Sequence, residues 1–253
     1  MSPDFLLSSI EHLARRAGEA VMAIYATDFA VQGKADASPV TLADQQAEAI
    51  IVAEEAMAAG DSPALAPGGR FWLVDPLDGT REFVARNGEF TVNIALVEQG
   101  RPVLGVVLAP AVGGPGGCLY AGIVGQGAWV EDAAGRRAIH CRAVPAEGVT
   151  VLASRSHGDA AALDAFLQRH LAGRPLARVG NAGSSLKLCL LAAGQADLYP
   201  RLGRTMEWDI AAGHAVLAAA GGSVCRVDDG QPLTYGKPGF ENPHFVAAGC
   251  AGH

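Results

Sequence analysis

Hydrophobic and polar positions follow a helical rhythm at the start of the chain. Leu6, Ile10, Leu13, Ala17, Val21 and Ile24 recur at three- and four-residue spacing, the signature of one buried helix face. Ser2 in a capping position and Pro3 at the first helical position fit its start, and the run amounts to about six turns. A polar stretch, 32–39, comes next; Thr41 can then cap a second helix that begins at Leu42 and carries Asp44, Gln45, Gln46 and Glu48. Phe71-Trp72-Leu73-Val74 is a short, fully apolar strand, stopped by Asp75-Pro76. Residues 90–110 read as strand, Gln99-Gly100-Arg101-Pro102 turn, strand, hence an antiparallel hairpin, with further strands at 119–124 and 128–130. Past Pro145 the grammar alternates: strand 149–153, helix 158–170, a strand, helix 184–193, strand 196–199, helix 208–220, strand 222–227. The expectation is a mixed α+β and α/β protein in two parts. Residues 1–145 would form a helix-plus-antiparallel-sheet half, and 146–253 a smaller α/β half.

Composition narrows the class. The chain has 253 residues, half of them hydrophobic, enough for a full core and too apolar for disorder. Lys and Arg number 19 against 26 Asp and Glu, a formal charge of -7 with no basic block. Nucleic acid is therefore not an expected partner. The longest nearly apolar run, 102–112, is far short of the roughly 18 residues that would span a bilayer. Five dispersed cysteines, with no C-x-x-C pair, argue against a disulfide framework or a zinc site. A soluble, cytoplasmic protein is expected.

The most informative stretch is Asp75-Pro76-Leu77-Asp78-Gly79-Thr80 at the end of an apolar strand. Two carboxylates on a Pro-shaped turn can converge with the Leu77 carbonyl on one point, and such hard oxygen donors suit Mg²⁺. Gly79 and Thr80 offer backbone N–H groups to a phosphate. An ordinary D-P and D-G turn would give the same pattern. Glu54-Glu55 lies upstream and Glu207-Trp208-Asp209 opens a helix downstream; Asp209 also suits a helix cap, and the glutamates a solvated face. Were these carboxylates to share one pocket, each like-charge pair at about 4 Å would cost about 4 kcal/mol at an effective dielectric near 20. Such a cluster needs cations. Gly113-Gly114-Pro115-Gly116-Gly117 lacks the Gly-Lys-Ser/Thr of a phosphate-binding P-loop and reads as a hairpin connection.

Taken together, Lys34-Ala35-Asp36-Ala37-Ser38-Pro39-Val40-Thr41-Leu42-Ala43-Asp44, Glu54-Glu55, Trp72-Leu73-Val74-Asp75-Pro76-Leu77-Asp78-Gly79-Thr80 and Trp208-Asp209, with Gly213 and Gly221-Gly222 behind, resemble the inositol monophosphatase superfamily. Arg81-Glu82-Phe83, the run from Arg86 to Ala95, Ser154-Arg155-Ser156-His157, Gly183-Ser184-Ser185-Leu186-Lys187 and Tyr199-Pro200-Arg201 are similar to its 3'(2'),5'-bisphosphate nucleotidase branch.

The resemblance implies a layered αβαβα sandwich of the sugar phosphatase type and a lithium-sensitive, Mg²⁺-dependent phosphatase with two or three cations per site. It implies Glu55, Asp75, Leu77 through its carbonyl, Asp78, Asp209 and Asp44 as metal ligands. Asp36 and Thr80 would position and deprotonate the attacking water. Gly79, Thr80, His157, Ser184, Lys187 and Arg201 would hold the substrate, a small nucleotide bisphosphate, with Arg as the bidentate phosphate partner. Without the resemblance, Lys187 reads equally as a solvated helix residue and Arg201 as a surface ion pair. The implied reaction removes the 3'-phosphate of 3'-phosphoadenosine 5'-phosphate. Inositol monophosphatase or fructose-1,6-bisphosphatase activity is the alternative within the family, and a non-catalytic metal-dependent nucleotide-binding protein the alternative outside it. Association as a homodimer and peripheral contact with the inner membrane are left open. The pattern departs in one place: ten residues separate Asp44 from Glu55, where roughly two dozen are usual in the family. Either a segment is missing there or the second helix is shortened and the metal site rearranged.

Overall fold

The computed structural model describes residues 3–27, 31–33, 39–58, 69–154, 160–171 and 173–250, with the backbone alone for 31–33, 39–41 and 52–58. Helix α1 (Pro3–Tyr25) buries Leu7, Ile10, Leu13, Ala14, Ala17 and Val21 along one face, the stripe that its spacing predicts. Two short strands, β1 (Val31–Gly33) and β2 (Pro39–Thr41), pair antiparallel and lead into α2 (Leu42–Ala58).

The first sheet follows in chain order: β3 (Arg70–Asp78), then after α3 (Thr80–Val84) β4 (Thr91–Glu98), β5 (Arg101–Ala109), β6 (Cys118–Ile123), β7 (Gly127–Asp132) and β8 (Gly135–Ile139). All neighbours are antiparallel, and β3 is one edge. Local chemistry sets this order. Gln99 and Gly100, the two residues between β4 and β5, both have positive φ, 51° and 73°. A two-residue hairpin turn of that hand matches the right-handed twist of its strands.

The second half supplies β9 (Val149–Ser154), α4 (Ala160–Leu171), β10 (Leu176–Ala182), α5 (Leu186–Ala192), β11 (Leu198–Arg201), α6 (Glu207–Ala219), β12 (Ser223–Arg226) and β13 (Phe245–Ala248). Its sheet has the order β10-β9-β11-β13-β12; the first three strands are parallel and the last two join antiparallel. Residues of α1 and α2 pack on one face of the first sheet with Ile94, Leu96, Val106 and Leu108. The other face meets α5 and α6 through Leu73, Ala95, Val97 and Val107. Helix α6 buries nearly its whole circumference, as a helix that is apolar all round must, and the second sheet lies behind it through Val224, Phe245 and Ala247. Phe166, Leu167 and Leu171 of α4 close the far face against Val149 and Val151. The layering is therefore αβαβα. Among the described residues no helix is long and apolar enough to cross a membrane.

The fold differs from the sequence reading in four places, the first being β8, an edge strand that the reading did not include. The polar stretch 32–39 contains the ends of a small two-stranded sheet. The second sheet is mixed, because β13, too short to show an alternation, enters between β11 and β12. Strand β3 does not stop at Asp75-Pro76 but continues to Asp78. Proline is tolerated there because β3 is an edge strand and because its partner register slips at that point.

Candidate active site

That slip creates the site. Asp75 pairs with Asn93, yet Asp78 pairs with Thr91: three steps along β3 match two along β4. Residues three apart on a regular strand face opposite sides, but the extra residue of the bulge turns both carboxylates to the same side. This is the α5/α6 face, since Leu73 and its cross-strand partner Ala95 belong to the core there. Leu77 points the other way and packs beneath α1 and α2. The Asp75 carboxylate also accepts the Leu77 N–H at 3.2 Å, which fixes the turn.

Helix α6 brings a third carboxylate. Asp209 is in its first turn and accepts the Met206 N–H at 2.8 Å, so it ties the helix entry from inside rather than capping it from the preceding residue. Its other side meets the Asp75 carboxyl within hydrogen-bond reach. Helix α5 contributes through the loop before it: the Ser185 N–H donates to Asp78 at 2.8 Å, the Ser185 hydroxyl donates to the Asp209 carbonyl, and the Gly183 N–H donates to Glu89 at 2.8 Å.

Asp75, Asp78, Gly183, Met206 and Asp209 line a cavity of about 510 Å³ that also reaches Asp44, Leu77, Gly79, Thr80, Ser184, Lys187 and Arg201. The cavity leaves the aspartates partly open, yet their electrostatics are those of crowded, poorly hydrated acids. Burial first, then the charges of Asp78, Asp209 and Asp44, hold the Asp75 carboxyl well above the usual range. Burial and the Asp209 charge push Asp78 up to about 7, against the opposing pull of Lys187 and the Ser185 N–H. Asp209 is raised by burial as well, and the Met206 N–H offsets part of this. Carboxylates in this condition gain from a hard cation, and the donor set, all oxygen, fits Mg²⁺ rather than a thiolate- or imidazole-seeking metal. Among the described residues no three such groups close into a cage; the donors form an open wall.

The cationic side of the cavity is equally built. Lys187 is buried, 4% exposed, and its Nζ donates to the carbonyls of Ala182 at 3.0 Å and Ser184 at 2.7 Å above the ring of Tyr199. Burial lowers its pKa to about 8. Arg201 is 8% exposed; it donates to the Ser154 hydroxyl at 3.1 Å and to the Arg204 carbonyl at 2.6 Å. Neither is the solvated or surface-paired residue that its sequence context allows. The Arg201 Nε, the Ser184 Oγ and the Thr205 Oγ1 are buried without any partner in the protein, and all three residues line the cavity. An unmet buried polar group costs about 1–3 kcal/mol, a cost that a polar ligand removes.

Of the residues expected from sequence, Asp44, Asp75, Leu77, Asp78, Gly79, Thr80, Ser184, Lys187, Arg201 and Asp209 are brought together. The Thr80 hydroxyl lies 3.5 Å from the Leu77 carbonyl. Asp36 and His157 fall outside the described residues, as does the Glu55 side chain. Asp44 and Glu55 share the continuous α2, where eleven residues correspond to about 16 Å along the axis. Sequence reasoning missed Arg81, Glu82, Arg204, Thr205 and Met206 as cavity residues. Arg81 and Glu82 directly follow the aspartate motif and could have been found; Arg204 and Thr205 stand in an unpatterned connection with no such signal.

Loop geometry here leaves no room for a side chain at Gly183, whose Cβ would stand 2.5 Å from the Glu89 carbonyl oxygen and 2.8 Å from Glu82 Cγ. Gly183→Ala should lower stability by about 1–3 kcal/mol, the scale of overpacking, and weaken substrate binding because Ser184 and Ser185 must move. Denaturant midpoints and KM measure both, and an unchanged pair of values would contradict this placement.

Comparison with known proteins agrees with this architecture. The model of the inositol monophosphatase family matches residues 3–249. The 3'(2'),5'-bisphosphate nucleotidase CysQ of Shigella flexneri is 45% identical over 254 residues, 95% of this chain and 98% of that protein. The CysQ of Escherichia coli strain K12 is 44% identical over the same extent. Among solved structures, CysQ from Bacteroides thetaiotaomicron, described as a bacterial member of the family, superposes with a TM-score of 0.78 at 34% identity, covering 95% of each chain. An inositol monophosphatase from Zymomonas mobilis reaches the same TM-score at 27% identity, covering 99% of this chain and 94% of that one. With a family model matched over nearly its whole length and relatives of that similarity, the chain belongs to the inositol monophosphatase family.

Proposed function

We propose that this protein is a metal-dependent phosphatase that hydrolyses the 3'-phosphate of 3'-phosphoadenosine 5'-phosphate to give AMP and phosphate. One observation carries the reading: a single cavity pairs crowded carboxylates with buried cationic and hydroxyl groups that have bonding capacity to spare. An acidic wall alone would serve a cation and a basic wall alone an anion; the combination suits a phosphate ester held against Mg²⁺. The near-complete relatives named as 3'(2'),5'-bisphosphate nucleotidases support the choice of substrate.

On this reading Glu55, Asp75, Asp78, Asp209 and the Leu77 carbonyl hold the cations, two or three per site, with Asp44 completing a further one. Bound Mg²⁺ supplies a water of lowered pKa and neutralises charge on the leaving oxygen. The chain's own residues do the rest. Thr80 holds the attacking water, and Asp36 accepts its proton. Gly79 and Thr80 present backbone N–H groups to the phosphate being transferred. Arg201 grips the second phosphate through its unpartnered Nε, and Ser184 and His157 serve as further substrate groups. Lys187, fixed by two carbonyls, acts as a point charge. The 1–145 half thus supplies most cation ligands together with Gly79 and Thr80, and 146–253 the other substrate groups and Asp209. The reading describes a cytoplasmic enzyme acting on a small molecule.

This division of labour predicts a split in kinetic constants. Lys187→Ala should raise KM for the bisphosphate at least tenfold and change kcat far less, since the lysine serves binding. Steady-state kinetics on the nucleotide and on inositol 1-phosphate test it. A fall in kcat with unchanged KM toward both would overturn the assignment.

A further inference from the structure

Beneath the aspartate wall, β4 carries two polar side chains that the proposed reaction leaves unused. Thr91 and Asn93 are both fully buried, at 0% exposure. The Thr91 hydroxyl and both the amide nitrogen and the carbonyl oxygen of Asn93 have no partner within the protein. Leaving such groups unpaired is costly, and a threonine and an asparagine in the middle of an otherwise apolar strand, β4, need a reason.

Their register gives one. Thr91 is directly opposite Asp78, and Asn93 directly opposite Asp75, so each carboxylate has its own buried polar neighbour on the same sheet face. Directly opposed residues of antiparallel strands hold their Cβ atoms about 4.5–5.5 Å apart, within the span of a direct hydrogen bond or one through a single water. Because the bulge separates the two aspartates by three residues while their partners are two apart, the correspondence holds only with the bulge in place. We infer that Thr91 and Asn93 are positioning residues: neither bond is formed in this structure, and with the cation bound they donate to Asp78 and Asp75, respectively, and orient both carboxylates toward it. Ligating carboxylates ordinarily need such supporting bonds, and losing them weakens metal affinity by about 10- to 100-fold. The inference rests on the phosphatase reading for the identity of the cation.

The test uses the full chain and Mg²⁺ alone, with affinity from calorimetric titration and stability from denaturant unfolding without metal. Thr91→Val preserves shape and removes the hydroxyl; Thr91→Ser preserves the hydroxyl. The expected result is a Mg²⁺ affinity at least tenfold weaker in Thr91→Val and within about threefold of the parent in Thr91→Ser, with Asn93→Leu behaving like the valine variant. If Asn93→Leu does not fold, the two Thr91 variants decide the matter. Equal Mg²⁺ affinity in Thr91→Val and the parent, with the valine variant simply more stable, would overturn the inference and leave the phosphatase reading intact. Failure of the parent to bind Mg²⁺ at all would overturn both.

Discussion

Asp78→Asn should abolish most of the turnover, by roughly 10²–10³-fold in kcat, the scale of losing a group that serves transition-state charge. The substitution keeps the shape of the side chain and an oxygen to accept the Ser185 N–H, now at 2.8 Å. What it removes is one negative charge from a wall where Asp78 and Asp209 raise the pKa of Asp75 and Asp209 raises that of Asp78. The same change should therefore leave the metal-free protein as stable as the parent or more so. That opposed pair of effects separates a metal ligand from a structural carboxylate, whose loss lowers activity and stability together. Kinetics under saturating Mg²⁺ and thermal unfolding in chelator read the two sides. A kcat within tenfold of the parent would contradict the role assigned to Asp78.

Magnesium should stabilise the protein in a strongly pH-dependent manner. Without metal, the folded pKa of Asp78 is about 7, above its ordinary 3.8, so the folded state binds a proton more tightly than the unfolded one. Stability from this group is fully present below pH 3.8 and is lost as pH rises to about 7; Asp75 and Asp209 act in the same direction. A cation must displace those protons, so its apparent affinity should fall about tenfold per pH unit below 7 for each proton released. Mg²⁺ should raise Tm more at pH 8 than at pH 6, and the difference should shrink in Asp78→Asn. Equal Tm shifts at the two pH values would mean that the cation does not bind among these carboxylates.

The features most legible in the sequence were those written locally. The apolar stripe of α1, the hairpin at Gln99-Gly100 and the change of grammar near Pro145 follow from periodicity and turn chemistry. Asp75 and Asp78 announced themselves as paired carboxylates, but the reason that they share a face lies in a register slip against β4, which no single-strand pattern contains. Proline at 76 argued for an end to the strand; only the position of β3 at a sheet edge reverses that. Lys187 and Arg201 were ambiguous because a charged residue on a helix or strand is ordinarily solvated, and their burial depends on long-range packing of α5 and β11. Thr91 and Asn93 belong in the sequence to a strand and to the run from Arg86 to Ala95, and nothing there marks a supporting role, since being unpartnered is a property of the folded surroundings. The short Asp44 to Glu55 connection was visible from counting alone, and the continuous α2 gives it physical content.

The central claim is that this cavity removes a phosphate from a nucleotide bisphosphate. Phosphate release from 3'-phosphoadenosine 5'-phosphate, inositol 1-phosphate and fructose 1,6-bisphosphate should be measured side by side, with Mg²⁺ and with chelator. The account predicts Mg²⁺-dependent release with a kcat/KM at least about a hundredfold higher for the nucleotide, equal to about 2.7 kcal/mol of transition-state discrimination. Equal or faster turnover of the other two substrates, or release that persists in chelator, would contradict it.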